Sequence, residues 1–323
     1  MAKILLDYAV SFSEVNSTTK ASLAYLHNLC VVVTPADPEN AGTVVEITTP
    51  EQIALYVEDK GSQLTDLESI FNGGLRKFSL ALVEAGGDID AVIKGQEGKY
   101  FTVYLGDQFA LAENLQGLEW KGVKAATLSK DETDKQPTVQ LEKNCCVFPA
   151  AATESTSAAG GLFAFSSLLS SSNWRNQQYI QAIGGVSQSV NVLGTAESYF
   201  ENRYSFYIND DEQGTRLAFF VAGGKSITTP YIQEELHVVI QSSILSFLST
   251  NQPFNVETSR RLLEQRANRI IVDYVEDSLL DPDGDNEVKI EKSNEAFIVK
   301  GQIYTTESEA LWRVDIDAFN SAV

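Results

Sequence analysis

The sequence predicts a mixed α/β, or α+β, fold with a two-part core and an extended β arm at each end. Three observations carry this reading. Apolar runs of strand length alternate with short helical segments through the first half of the chain, which argues layered packing of helices on a sheet. A long stretch from Asn255 to Leu280 repeats apolar residues at steps of three and four. Both ends of the chain, Met1–Phe12 and Leu311–Phe319, carry period-two runs.

In the first run, Ile4, Leu6, Tyr8, Val10 and Phe12 alternate with Lys3, Leu5, Asp7, Ala9 and Ser11. Chain ends fray unless something ties them down, so such a strand pairs either with the chain's own sheet or with that of a neighbouring copy. Ser13–Thr19 is polar and reads as a hinge. Leu29–Thr34 and Thr43–Thr48 follow as strands, separated by the turn Asp37–Gly42. Thr49-Pro50-Glu51 opens a helix with a hydroxyl cap, proline in the first turn and an early acid. Leu64–Phe71 is a second helix, closed by Asn72-Gly73-Gly74. Lys77–Val83, Tyr100–Leu105 and Val123–Leu128 are strands, Asp88–Ile93 is helical, and Lys130–Gln136 reads as a charged surface loop.

From Ala150 the composition shifts to Ala, Ser and Gly, which marks a seam, with a helix around Gly161–Leu169. Tyr204–Ile208 and Leu217–Val221 read as strands joined by a hairpin turn at Asn209–Gly214. Pro230–Leu248 is a strong helix. The next begins at Asn255, a cap, and carries Leu263, Ala267, Ile270, Ile271, Tyr274 and Val275 on one stripe, with Pro282 beyond its end. Ala296–Tyr304 is a strand. In the last segment Trp312, Val314, Ile316 and Ala318 alternate with Arg313, Asp315 and Asp317. The expected organisation is an arm strand and linker over 1–20 and an α/β domain over 21–149. An α+β core domain with two long helices over 150–305 and a C-terminal arm over 306–323 complete it.

A chain of 323 residues with 43% apolar content has ample material for real cores. Lys and Arg number 24 against 44 Asp and Glu, a net charge of −20, which disfavours gripping nucleic-acid phosphates or anionic lipid. No apolar segment reaches the ~20 residues of a membrane span, and Asp7 interrupts the N-terminal run, which argues against a signal peptide. Cys30, Cys145 and Cys146 are read as reduced and buried, as in a protein made in the cytosol.

The motifs that suggest chemistry fail on inspection. Gly224-Lys225-Ser226 precedes a helix, but a phosphate loop needs glycine where Phe219 stands. Asp281-Pro282-Asp283-Gly284-Asp285 resembles a calcium loop, yet its glycine is misplaced and Lys292 occupies the twelfth position, so a tight turn is expected. Gly86-Gly87, Gly184-Gly185 and Gly223-Gly224 read as turns. His27 and His237 have no cysteine or histidine partner in sequence, and His237 reads as a packed or surface residue. Arg260-Arg261 is either a solvated face or an intersubunit salt-bridge donor. No catalytic, cofactor-binding or metal residue is nominated, and no cofactor is expected.

Four features together resemble the tail sheath proteins of contractile phage tails and related injection machines. They are the arm Ala2–Phe12; Leu67-Glu68-Ser69-Ile70-Phe71-Asn72-Gly73-Gly74; Arg260-Arg261-Leu262 running into Ile270-Ile271-Val272-Asp273-Tyr274-Val275-Glu276; and Ala296-Phe297-Ile298-Val299 with the strand Trp312–Phe319. The chain is shorter than many such proteins, so the resemblance implies a minimal version. It implies a mixed α/β core formed largely by the C-terminal half. It also implies strand exchange between identical subunits through Ile4, Leu6, Tyr8, Val10, Trp312, Val314 and Ile316. The implied assembly is a set of stacked, helically arranged six-fold rings around a tail tube protein. Baseplate and tail terminator or neck proteins would be further partners, with no direct nucleic-acid contact and no membrane insertion. The implied place is the virion tail, assembled in the host cytoplasm, and the implied role is genome ejection. The alternatives are another tail protein (tube, terminator or baseplate) or a soluble cytoplasmic enzyme with carboxylate chemistry.

Overall fold

The computed structural model describes residues 23–58, 60–96, 98–135, 144–150, 157–171, 189–190, 193–210, 214–250, 256–292, 297–305 and 312–318. In chain order the elements begin with β1 (Leu29–Val33), β2 (Thr43–Ile47), α1 (Pro50–Tyr56), α2 (Gln63–Asn72) and β3 (Phe78–Leu82). Next come α3 (Ile89–Ile93), β4 (Thr102–Leu105), α4 (Ala112–Gly117), β5 (Val123–Leu128), α5 (Lys130–Lys135), β6 (Cys145–Pro149) and α6 (Ala159–Ser170). They continue with β7 (Ser189–Val190), α7 (Leu193–Glu201), β8 (Phe206–Asp210), β9 (Gly214–Phe219), β10 (Val221–Ala222) and β11 (Lys225–Ser226). The last are α8 (Thr228–Thr250), α9 (Val256–Glu276), β12 (Glu287–Lys292), β13 (Phe297–Thr305) and β14 (Trp312–Ala318). The mixed α/β class expected from the sequence is what the chain adopts. Ile4, Leu6, Tyr8 and Val10, the N-terminal arm residues, lie outside the described residues.

The chain divides into two compact units, one spanning Ala24–Pro230 and the other running from Tyr231 onward. The first is built on a six-stranded sheet in the order β2-β3-β1-β4-β5-β6. Strands β3, β1, β4, β5 and β6 are parallel, and β2 joins β3 antiparallel at one edge. Every residue of β1, β3, β4, β5 and β6 is buried, as expected for parallel strands covered on both faces, whereas β2 is largely exposed.

Strand alternation divides the core between the two faces. Cys30, Val32, Val103, Leu105 and Val147 join Ile93, Phe109 and Leu115 in one cluster. On the other face α6 packs so closely that a Cβ on Gly161 would strike the Tyr104 hydroxyl and come within 3.1 Å of Phe148. The Tyr104 hydroxyl meets Thr127 Oγ1 at 2.6 Å, and Tyr207 donates to the Gly160 carbonyl at 2.8 Å.

The boundaries differ from expectation in instructive places. The chain divides near Pro230, whereas the sequence placed its seam at Ala150. Residues beyond β6 return to the same sheet, because α6 covers it and the Ser205 and Gly223 amides donate to the Val147 and Cys145 carbonyls at 2.8 Å each. Lys130–Gln136, expected as a surface loop, forms α5 over Lys130–Lys135. Ser129 caps it, its carbonyl accepting from the Thr133 amide at 2.9 Å and its hydroxyl from the Glu132 amide at 3.3 Å. Gly223 and Gly224, at φ +57° and +71°, form the two-residue turn between β10 and β11. The Gly-Lys-Ser run is therefore a hairpin, whose paired left-handed residues demand glycine.

The second unit contains α9 and the three-stranded antiparallel sheet β12-β13-β14, together with α8 from Tyr231. The helices run antiparallel, since Glu235 meets Tyr274 while Ser243, further along α8, meets Arg266, nearer the start of α9, at 2.6 Å. Of the stripe read from the sequence, Leu263, Ala267 and Ile271 are buried. Ile270, Tyr274 and Val275 are half-buried. Burial, with Glu235 alongside, pushes the Tyr274 hydroxyl above its ordinary range, so it stays protonated as a donor.

Candidate assembly surface

The C-terminal sheet is held to α9 through a sequence of turns. After α9 the chain passes Ser278 at φ +58°, buries Leu280, and joins β13 where the Asp281 amide donates to the Tyr304 carbonyl at 2.7 Å. Asp281–Gly284 is the tight turn expected: the Asp283 amide donates to Asp281 Oδ1 at 2.9 Å and the Gly284 amide to the Asp281 carbonyl at 3.1 Å. Asn286 fastens this turn to the sheet, donating to the Asp281 carbonyl at 2.6 Å and accepting from the Tyr304 amide at 2.7 Å. Among the described residues no three His, Cys, Asp or Glu side chains converge as a metal site.

Strand β12 then pairs with β13, and β13 with β14, in unbroken antiparallel register. Of the arm residues expected to link subunits, Trp312, Val314 and Ile316 stand opposite Thr305, Ile303 and Gly301 of this chain's own β13. Among the described strands β14 lies at an edge of this sheet, and edges offer a row of hydrogen-bonding groups to any strand that approaches. The sequence did not indicate β12, although Val288 and Ile290, both buried, alternate there with Glu287 and Lys289. Arg260, half-buried, bonds within the chain, to Glu264 at 2.6 Å and to the Ile290 carbonyl at 3.0 Å.

The first unit carries a cleft of about 180 Å³ at the carboxyl ends of β1 and β4, where open α/β sheets place ligands. Among the described residues that line it, the one carboxylate, Asp66, is fully engaged. It accepts from the Ala158 amide at 2.8 Å, Ser157 Oγ at 2.7 Å and Ser62 Oγ at 3.0 Å, and so holds the first turn of α6. Lys60, also on its wall, pairs with Glu58. The most displaced groups lie elsewhere and owe this to burial: the Cys30 thiol is pushed up to about 12, and the Cys146 thiol and the Tyr104 and Tyr207 hydroxyls are also raised. His27 meets the Leu169 carbonyl at 3.0 Å, and His237 lies 3.7 Å from Glu234. No described helix is long and apolar enough to cross a membrane.

This fold, a covered parallel sheet followed in the chain by a helical pair and a small terminal sheet, is similar to that of solved sheath proteins. The chain is similar to a subunit of the helical sheath of the anti-feeding prophage in its contracted state. The TM-score is 0.64 and the identity 13%, over 90% of this chain and 92% of that one. A sheath tail protein from Listeria innocua matches with a TM-score of 0.59 and 9% identity, over 97% and 98% of the two chains. A chain from the contracted anti-feeding prophage baseplate matches with a TM-score of 0.59 and 12% identity, over 92% and 94%. No protein-family model and no curated protein matches the sequence. The resemblance read from short stretches of sequence is therefore met at the level of fold, across nearly the full length of chains of comparable size.

Proposed function

We propose that this chain is a non-enzymatic structural protein, a tail sheath subunit that assembles around a tail tube in the virion. The observation that carries the reading is a fold similar to that of sheath proteins, with β14, Trp312–Ala318, at the edge of its sheet among the described strands. Subunits exchange strands through Met1–Phe12 and through Trp312, Val314 and Ile316, building stacked, helically arranged hexameric rings by backbone pairing, with Ser13–Thr19 as a hinge. Tube, baseplate and terminator or neck proteins are the partners of such a sleeve, its assembly takes place in the host cytoplasm, and its role is in genome ejection. The test is negative-stain microscopy of the purified chain beside a variant lacking Met1–Phe12, with and without a candidate tube protein. Striated tubes that disappear with the arm, while the variant remains a folded monomer, are expected. Normal tubes from the truncated protein would overturn strand exchange through this arm.

The similarity to a baseplate chain favours a second reading, a baseplate position. A baseplate subunit forms a closed ring of fixed size, whereas a sheath subunit polymerises along the tube, so tube length against subunit concentration separates the two.

A further inference from the structure

Along an antiparallel strand, alternate residues direct their N–H and C=O toward one neighbour and the rest direct theirs the other way. On β12 the groups of Val288 and Ile290 turn away from β13 and toward α9. The Val288 amide donates to Asn268 Oδ1 at 2.8 Å, and Asn268 Nδ2 donates back to the Val288 carbonyl at 2.8 Å. One carboxamide therefore supplies the acceptor and the donor that a residue of a fourth strand would supply. Two turns earlier on the helix, Arg260 Nη1 donates to the Ile290 carbonyl at 3.0 Å. Glu264, between them, steadies both: its carboxylate takes Arg260 at 2.6 Å and its carbonyl takes Asn268 at 3.0 Å. The adjacent row of the helix, Leu263, Ala267 and Ile271, is buried, as are Val288 and Ile290 on the strand.

We propose that the row Arg260, Glu264, Asn268 locks the β12 edge against strand addition. A strand arriving at β12 finds the groups of Val288 already paired and a helix in its path. Resting on the sheath reading, the consequence is that a strand from a second copy of this chain joins the sheet only on its β14 side, beside β14 or in its place. The sheet then extends in one direction, and two copies cannot pair β12 to β12 into an off-pathway dimer. The lock is a property of the free subunit and holds whether or not the chain builds a sheath.

Hydrogen exchange of the intact protein tests this without any variant. The Val288 amide should exchange at least roughly tenfold more slowly than an unpaired edge amide, the effect of a hydrogen bond near the upper end of the usual range. Exchange at the unprotected rate overturns the proposal. Asn268→Ala removes both bonds, so the Val288 amide should lose that protection and sedimentation should reveal a concentration-dependent oligomer. Asn268→Asp keeps the acceptor and should keep the amide protected, which separates hydrogen bonding from packing. A folded, strictly monomeric Asn268→Ala protein would overturn the lock as a barrier to pairing. If the arm-deleted protein still forms tubes while Val288 stays protected and Asn268→Ala associates, strand exchange through the arm fails and the lock stands.

Discussion

Gly73 and Gly161 sit where α6 comes closest to the elements around it. A Cβ at Gly73 would lie 2.6 Å from Ser166 Cβ and 2.8 Å from the Phe163 carbonyl, and Gly74 beside it has φ +100°. The Asn-Gly-Gly run thus has two roles: one glycine lets two helices touch and the next lets the chain turn. Only the turn could be read beforehand, because the close approach involves a residue from a distant stretch. Gly73→Ala should destabilise the protein by about 1–3 kcal/mol through overpacking, measured by urea denaturation. Cys30 gives a second expectation. Its thiol, raised from 9.0 to about 12 by burial, should resist thiol reagents at pH 8 in the folded protein and react once the chain is unfolded. The sign of its effect on stability follows from the unfolded chain ionising first. The contribution is complete below about pH 9 and is lost as pH rises through about 12, so alkaline titration should show stability falling across that window.

Among the elements, α6 cannot cap its own start. Ala158 cannot cap it, and the carboxylate of Asp66, from α2, takes the Ala158 amide instead. Asp66→Ala should cost about 1–3 kcal/mol by leaving that buried amide unpaired, with Asp66→Asn recovering part of the loss in the same denaturation assay. Elements with their own local signals were legible: the Thr49-Pro50-Glu51 start of α1, the alternation of β14 and the stripe of α9. Helix α5 had such a signal, Ser129 followed three residues later by Glu132, outweighed by the charge of the segment. Strand β12 has only two apolar residues to show its period. The role of Asn268 could not be read at all, because a polar residue on a helix says nothing about which backbone lies opposite.

At the scale of the molecule, a charge of −20 is carried by every copy. The proposed strand pairing between copies would work against that repulsion, so raising ionic strength should favour assembly. Light scattering should rise between about 10 and 150 mM salt, as the screening length falls from roughly 30 to 8 Å. Assembly that weakens over this range would point instead to charge pairs as the main contacts. The fold class was legible because strand and helix periods are local. The division near Pro230 was not, since it depends on α6 and the Ser205 and Gly223 amides returning to a sheet formed much earlier in the chain.

The pairing of β14 with its own β13 bears on timing. A strand tethered to its target has an effective concentration in the millimolar range, far above that of any neighbour in solution. For strand exchange, the resident strand is thus a competitor that each new arrival must displace along Trp312–Ala318. Subunits governed by such competition remain dormant when dilute and join quickly once a surface gathers them, so growth is expected to show a lag that preformed ends abolish.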